Sequence, residues 1–299
     1  MAKNIEASVR ARLLAIAKKS NRDFNAVLLQ YFQERFLYRL SVSKVKDNFV
    51  LKGAMLFRIY EMPASRPTVD IDFLGRNTDN SEENLNMLIK EILAIKCNDG
   101  VTFDGDSISS EIIKEVDEYQ GVRIFCVAYL GTAKTRLHFD IGFGDKVFPN
   151  PALLEFPVLL EDLPIPKIIA YSPETAISEK FEAIVSLGIY TSRMKDFFDI
   201  YYMSQNYKFS SDNLREAIMI TFDNRETDIS NRNFIFSDDF KHDKNKRQQW
   251  KAFLNRINSE ISLSFGECLE YIESFLEPIL TDELDDYVWD RDRLKWLKY

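Results

Sequence analysis

Histidine and cysteine are scarce in this chain: two histidines, His138 and His242, and three cysteines among 299 residues. So few imidazoles exclude a histidine-rich metal centre and argue against a Ser-His-Asp triad, although one histidine can still act. Cys97, Cys126 and Cys268 are odd in number, far apart and in no CxxC spacing, which excludes a thiolate zinc site or a disulfide framework. They read as reduced structural thiols of a cytoplasmic protein. No early apolar run has the form of a signal peptide, and none is long enough to span a membrane. There is no Walker A spacing, no internal repeat and no low-complexity tract. Positive charge is short overall: 39 Lys and Arg face 47 Asp and Glu, a net of −8, so no general basic coat for nucleic acid exists. Two local excesses remain. The first 48 residues carry ten Lys or Arg against four Asp or Glu, and a second basic run spans Lys241–Lys251.

What is present is ordinary for a globular protein, 45% apolar and 29% charged, and 299 residues suffice for one large or two ordinary domains. Helical periodicity (Val9, Leu13, Leu14, Ile16, then Val27, Leu28, Tyr31, Phe32, Phe36) runs to about residue 47. Residues 49–53 read as extended or turning and 54–60 as a short helix. Pro63 and Pro67 bracket a loop into a strand over 68–74. Ser81 caps a helix reaching about Ile95, with Glu82 and Glu83 in its first turn. Strands are expected over 108–116, 122–129 and 134–141. Five of the nine prolines lie between Pro149 and Pro166. The apolar Leu153, Leu154, Val158, Leu159 and Leu160 make that stretch edge strands of the same sheet rather than a free linker. From Ser172 onward helices dominate, the first opening on Pro173 with Glu174 in its first turn. The division expected is 1–170, a domain with N-terminal helices, and 171–299, a helical domain.

Two acids interrupt the strand at 68–74. Asp70 and Asp72 share one face; Val69, Ile71 and Phe73 share the other. Two carboxylates on one face of a core strand repel each other and are costly to desolvate, and a divalent cation between them removes that cost. Mg²⁺ takes one or two carboxylates together with phosphate oxygens, so the pair points to chemistry on a phosphate. The strand Arg136–Ile141 repeats the pattern: Arg136, His138 and Asp140 face one way and Leu137, Phe139 and Ile141 the other. Asp140 is then either a third carboxylate, as metal ligand or proton acceptor, or a surface residue of an amphipathic strand, and the two readings stand level.

Other residues carry weaker signals. Lys52-Gly53 precedes a helix and lets backbone amides approach a phosphate; Lys-Gly is also a common turn. Arg66 and Thr68 flank the acid pair, to contact phosphate or to buttress the loop. Lys180 lies on the apolar stripe Ala176, Ile177, Phe181, Ile184 and Leu187, either snorkelling to the rim or aimed at a nucleotide phosphate, with Glu179 and Glu182 on the outer face. Asp196 and Asp199 share a helix face after Arg193; a simple Lys195–Asp199 pair is the plainer reading. The run 241–251 with Trp250 reads first as a solvated helix face and second as an RNA contact.

In order along the chain, Leu51-Lys-Gly-Ala, Arg66-x-Thr-x-Asp-x-Asp-Phe, Ser178-Glu-Lys180 and Arg193-x-Lys-Asp-x-x-Asp199 resemble the AbiEii/AbiGii toxin family. Its members are nucleotidyltransferase-like toxins of abortive-infection systems, related to the mycobacterial MenT toxins. The resemblance implies an α+β fold, a DNA polymerase β-like nucleotidyltransferase core with a helical C-terminal domain. It implies Mg²⁺, with Mn²⁺ as a substitute, and an NTP as substrate. It implies a cognate antitoxin of the AbiEi kind that forms no stable complex, tRNA as the RNA acceptor, and growth arrest that aborts phage infection. On this reading Asp70, Asp72 and Asp140 hold the metal, and Lys52, Gly53, Arg66, Thr68, Lys180 and Arg193 bind the nucleotide. Lys180, Asp196 and Asp199 match the later lysine and aspartate motifs. Ala54 stands where the nucleotidyltransferase signature has serine, which leaves only backbone and Lys52 to hold phosphate there. A protein-directed phosphotransferase, or a nucleotide- or RNA-binding module without turnover, are the alternatives.

Overall fold

The computed structural model describes residues 5–60, 62, 68–113, 121–259, 261–281 and 284–298. The chain forms two compact units. The first holds residues to Ile59, then 68–144 and Ala152–Ala170; the second holds Asp145–Pro151 and Tyr171 onward, with Tyr60 and Met62.

The first unit opens with α1 (Ile5–Lys19) and α2 (Phe24–Val42). Asp23 caps α2 by accepting from the Asn25 and Ala26 amides. β1 (Phe49–Lys52), a 3₁₀ turn at Gly53–Met55 and α3 (Leu56–Ile59) follow. Next come β2 (Asp70–Gly75) and α4 (Glu82–Leu93), the latter capped by Ser81. β3 (Thr102–Ile113), β4 (Gly121–Leu130), β5 (Ala133–Gly142), β6 (Ala152–Glu155) and β7 (Lys167–Ala170) complete the unit. Its seven strands form one sheet in the order β3-β4-β5-β2-β1-β7-β6. The proline-rich stretch supplies the edge strand β6, but Val158, Leu159 and Leu160, expected in strands, lie in the connection to β7, which starts past Pro166. β2 is antiparallel to β1 and parallel to β5, which places it in the middle of the sheet. The loop expected between Pro63 and Pro67, and the end of the strand expected to reach 116, lie outside the described residues.

One sheet face is the core. Ile71, Phe73, Ile124, Leu137, Phe139 and Ile141 are fully buried there. Phe36 of α2 meets Phe139 with ring centroids 4.2 Å apart and Phe73 at 6.3 Å. Val69, expected on that face, is 48% exposed because strand pairing begins only at Asp70. α2 departs from a simple amphipathic helix, since Gln33, Glu34, Arg35 and Arg39 are buried as well. Each has a task. Arg39 pairs with Asp99 at 2.7 Å and donates to the Val101 carbonyl. Arg35 donates to the Pro164 carbonyl, and Glu34 accepts from the Leu159 amide at 2.9 Å. Buried polar groups are mostly hydrogen-bonded, and here Arg39, Arg35 and Glu34 tie the helix to two loops, one before β3 and one between β6 and β7.

The second unit is helical: α5 (Pro173–Leu187), α6 (Met194–Asn206), α7 (Ser211–Asn224), α8 (Arg232–Ile235), α9 (Asp238–Lys241), α10 (Lys244–Arg256) and α11 (Phe265–Thr281). It closes with a hairpin, β8 (Tyr287–Asp290) and β9 (Lys295–Lys298). Trp289 and Trp296 face each other across the hairpin, and Trp296 stacks on Phe275 at 5.7 Å. The hairpin departs from the all-helical expectation for this region; Arg291, Asp292, Arg293 and Leu294 connect its strands. Among the described residues no helix is long and apolar enough to cross a membrane.

Candidate functional site

The second face of the first unit's sheet carries the acids. Lys52 lies opposite Asp72, Asp72 opposite Asp140, and Asp140 opposite Arg123, one row across β1, β2, β5 and β4. The next row pairs Asp70 with His138 and His138 with Phe125. Residues opposite each other in a ladder project to the same side, with neighbouring strands about 4.8 Å apart. Asp70, Asp72 and Asp140 therefore share one face across two adjacent central strands, and Lys52 stands beside them.

Each acid has a local setting. Both Asp140 oxygens accept from Arg123, Nε at 2.8 Å and a terminal nitrogen at 2.7 Å, a bidentate fork. This pair holds the Arg123 guanidinium well above its ordinary range. His138 Nδ1 lies 3.1 Å from Asp70 Oδ1, and the His138 ring meets Phe125 edge-on. Gly53 has φ +72°, and a Cβ added there would stand 1.9 Å from Asp72 Oδ2. Glycine is thus required twice: for a left-handed backbone, and because the turn lies directly on the Asp72 carboxylate. Lys52 reaches over Gly142, whose added Cβ would lie 3.6 Å from Nζ. The approach to β2 is fixed as well. Gln33 donates to the Val69 carbonyl at 3.0 Å, and Thr68 Oγ1 to the Asp70 carbonyl at 3.3 Å.

Among the described residues no three His, Cys, Asp or Glu side chains converge as a ready metal site. The reason is visible in the pairs: Asp140 is turned onto Arg123, and Asp70 is shared with His138. The Asp70 side chain is nonetheless 40% exposed. Asp70 and Asp72 are the residues here that could hold a hard cation, whose remaining ligands would come from phosphate and water.

The second unit has its own charged cluster. Lys180 Nζ on α5 lies 3.1 Å from Asp196 Oδ1 and 2.7 Å from Asp199 Oδ2, both on α6. Arg193 Nε donates to the other Asp196 oxygen at 2.5 Å. Both aspartates are fully buried. Burial alone would raise the Asp196 carboxyl, but the Lys180 and Arg193 charges outweigh it and hold the group below its usual range. The Lys180 and Arg193 charges offset those of the two aspartates, and a buried carboxylate needs such a partner. Asp199 thus pairs with Lys180 of the neighbouring helix. Glu182, expected on the outer face, is buried; it binds Arg225 at 2.7 Å and Thr227 at 2.6 Å. The reason is that α7 packs on the α5 face expected to meet solvent.

The basic run also divides. Trp250 is 2% exposed and donates to the Leu263 carbonyl, so it is core and cannot stack a base. Lys241 pairs with Glu273, and Lys246 donates to the Thr191 carbonyl. Arg66 lies outside the described residues.

A family model described as nucleotidyl transferase AbiEii toxin of type IV toxin–antitoxin systems matches residues 35–276. The chain belongs to this family. It is accordingly a nucleotidyltransferase-like toxin of a type IV system, and an antitoxin is its partner. The matched span includes every motif residue from Lys52 to Asp199. Two solved structures from Helicobacter pylori share the fold. One, assigned as a nucleotidyltransferase, is 16% identical with a TM-score of 0.52, over 86% of this chain and 98% of the other. The second, JHP933, is 16% identical with a TM-score of 0.50, over 85% and 94%. No curated protein matches. The AbiEii fold is thus α+β, a nucleotidyltransferase-like sheet with a helical C-terminal region.

Reading the sequence missed Arg123 and Gln33. Arg123 is legible in retrospect, because Arg123 and Phe125 alternate with buried Val122, Ile124 and Cys126 on β4. Its pairing to Asp140 depends on strand register, which no single strand reveals. Gln33 carries no signal at all, as it sits inside an apolar helix pattern.

Proposed function

We propose that this AbiEii toxin transfers a nucleotide from an NTP to an RNA acceptor, with tRNA as the acceptor and Mg²⁺ as the cation. Growth arrest that protects a population from phage is then its cellular outcome. The observation that carries this reading is the row Lys52–Asp72–Asp140 beside Asp70, with the Gly53 turn lying on the Asp72 carboxylate. Asp70 and Asp72 would hold the cation, which when bound supplies positive charge against the triphosphate and its leaving group. Lys52 and the amides of the Gly53 turn hold phosphate oxygens. The acceptor hydroxyl oxygen forms the new bond to the α-phosphorus, and the α–β bridging oxygen leaves with pyrophosphate. Asp140 takes the hydroxyl proton once its Arg123 pair opens. Lys180, Arg193, Asp196 and Asp199 enter the reading through motif order alone.

The test is incubation with Mg²⁺, each labelled NTP in turn and total tRNA. Label is expected in RNA with the wild type and not with Asp70→Ala or Asp72→Asn, and both variants should lose toxicity. No label in RNA, together with full toxicity of Asp70→Ala, would overturn the proposal. Label in protein instead would favour the phosphotransferase alternative.

A further inference from the structure

The second unit contains a cleft that the proposed chemistry does not use. Its volume is about 390 Å³, within the range of small-ligand sites. Ile189 and Tyr190 line it from the turn before α6, and Asn245, Gln248 and Gln249 line it from α10. Tyr190 is 89% exposed, a whole aromatic ring left in water. The turn that presents it is held firmly. Lys246, only 4% exposed, spends its ammonium on the Thr191 carbonyl, and the Thr191 amide donates to Gly188 at 3.1 Å. The Asp243 carboxylate is engaged with the Lys246 amide at 2.8 Å, capping α10.

α10 sorts its residues into three stripes. Lys246, Trp250 and Phe253 are buried. Asn245, Gln248 and Gln249, spaced i, i+3, i+4, form an exposed amide stripe on the cleft. Lys244, Arg247 and Lys251, spaced i, i+3, i+7, form an exposed cationic stripe beside it. An open aromatic face, several amides that donate and accept, and an adjacent line of cations is the equipment that binds an unpaired nucleotide. The ring stacks on the base, the amides reach its edge, and the cations meet the phosphates. This local basic stripe stands out against a chain of net charge −8.

We propose that this cleft binds an unpaired base of a single-stranded RNA segment, with Tyr190 as the stacking platform, Asn245, Gln248 and Gln249 as edge contacts, and Lys244, Arg247 and Lys251 along the backbone. The choice of RNA rests on the transfer reading above; the cleft itself is a separate site of recognition, with no reacting group in it. Its role is to select which RNA the toxin holds.

The full-length protein, without NTP, is titrated with fluorescent ten-nucleotide RNA homopolymers and with a duplex RNA of equal length. Single strands should bind and the duplex should bind less well. Tyr190→Ala should weaken single-strand binding about tenfold or more, whereas Tyr190→Phe keeps it. Gln248→Ala with Gln249→Ala should change the ranking of the four homopolymers, and Lys251→Ala should flatten the salt dependence. Tyr190 is exposed, so its variants should melt with the wild type. Wild-type affinity in Tyr190→Ala, or a wild type that binds none of the single strands, overturns the proposal. Transfer of label to tRNA is measured on the same preparations. Intact transfer with unchanged Tyr190→Ala binding removes the cleft and leaves the transfer reading. Lost binding in Tyr190→Ala with no transfer by the wild type does the reverse.

Discussion

Gly53→Ala separates the chemistry of the carboxylate face from its stability. The backbone cost of a side chain at φ +72° is about 1–2 kcal/mol. The steric cost falls on one group. The added Cβ would stand 1.9 Å from Asp72 Oδ2, and ordinary contact begins at 3.4 Å, so the carboxylate must retreat by 3.4 − 1.9, about 1.5 Å. A misplacement of that size in a catalytic constellation costs on the order of 100-fold in rate. Gly131→Ala supplies the control. Its φ is +59°, but its nearest neighbour is the flexible Glu6 Oε2 at 3.3 Å. Both variants should unfold in denaturant with a similar loss of about 1–2 kcal/mol. Only Gly53→Ala should lose transfer of labelled nucleotide, and it should also bind Mn²⁺ more weakly. Wild-type transfer by Gly53→Ala, or an equal loss in Gly131→Ala, would refute the placement of Asp72 at the centre of the site.

Three other outcomes follow from the same geometry. Arg123→Gln removes the fork on Asp140 and leaves more negative charge on the carboxylate face, so Mn²⁺ affinity by calorimetric titration should rise severalfold; an unchanged affinity means that Asp140 is no part of the cation site. Lys180→Met takes the ammonium from two fully buried aspartates, leaving Asp196 with Arg193, and should cost about 3–5 kcal/mol in denaturant unfolding, part of it restored by adding Asp199→Asn; a loss under about 1 kcal/mol would refute a large contribution of the Lys180 pairs to stability. Burial lifts the Glu34 carboxyl from 4.5 to about 7 in the fold. Its contribution to stability is therefore fully present below about 4.5 and is lost as pH rises through about 7, roughly 3 kcal/mol in all. Unfolding of wild type and Glu34→Gln at pH 5 and pH 8 should show a smaller pH dependence in the variant, and identical dependences would refute the assignment.

Much of this protein could be read without coordinates, because the signals are local. Alternation along β2 and β5 places Asp70, Asp72 and Asp140 on polar faces, since period two is a property of each strand alone. Ser81 and Ser172 announce helix starts, since a cap acts within one turn. Motif order pointed to the AbiEii family. Other features depend on which elements meet. Strand order sets Asp72 between Lys52 and Asp140, and register turns Arg123 onto Asp140; neither is encoded in any one strand. Glu182 reads as a surface residue until α7 brings Arg225 and Thr227 against it. Lys180 shows the division most plainly. Helical spacing alone put it on an inward stripe. Only the packing of α6 against α5 decided its partners, because the free energy of a buried charge is set by the opposite charges that tertiary structure delivers to it.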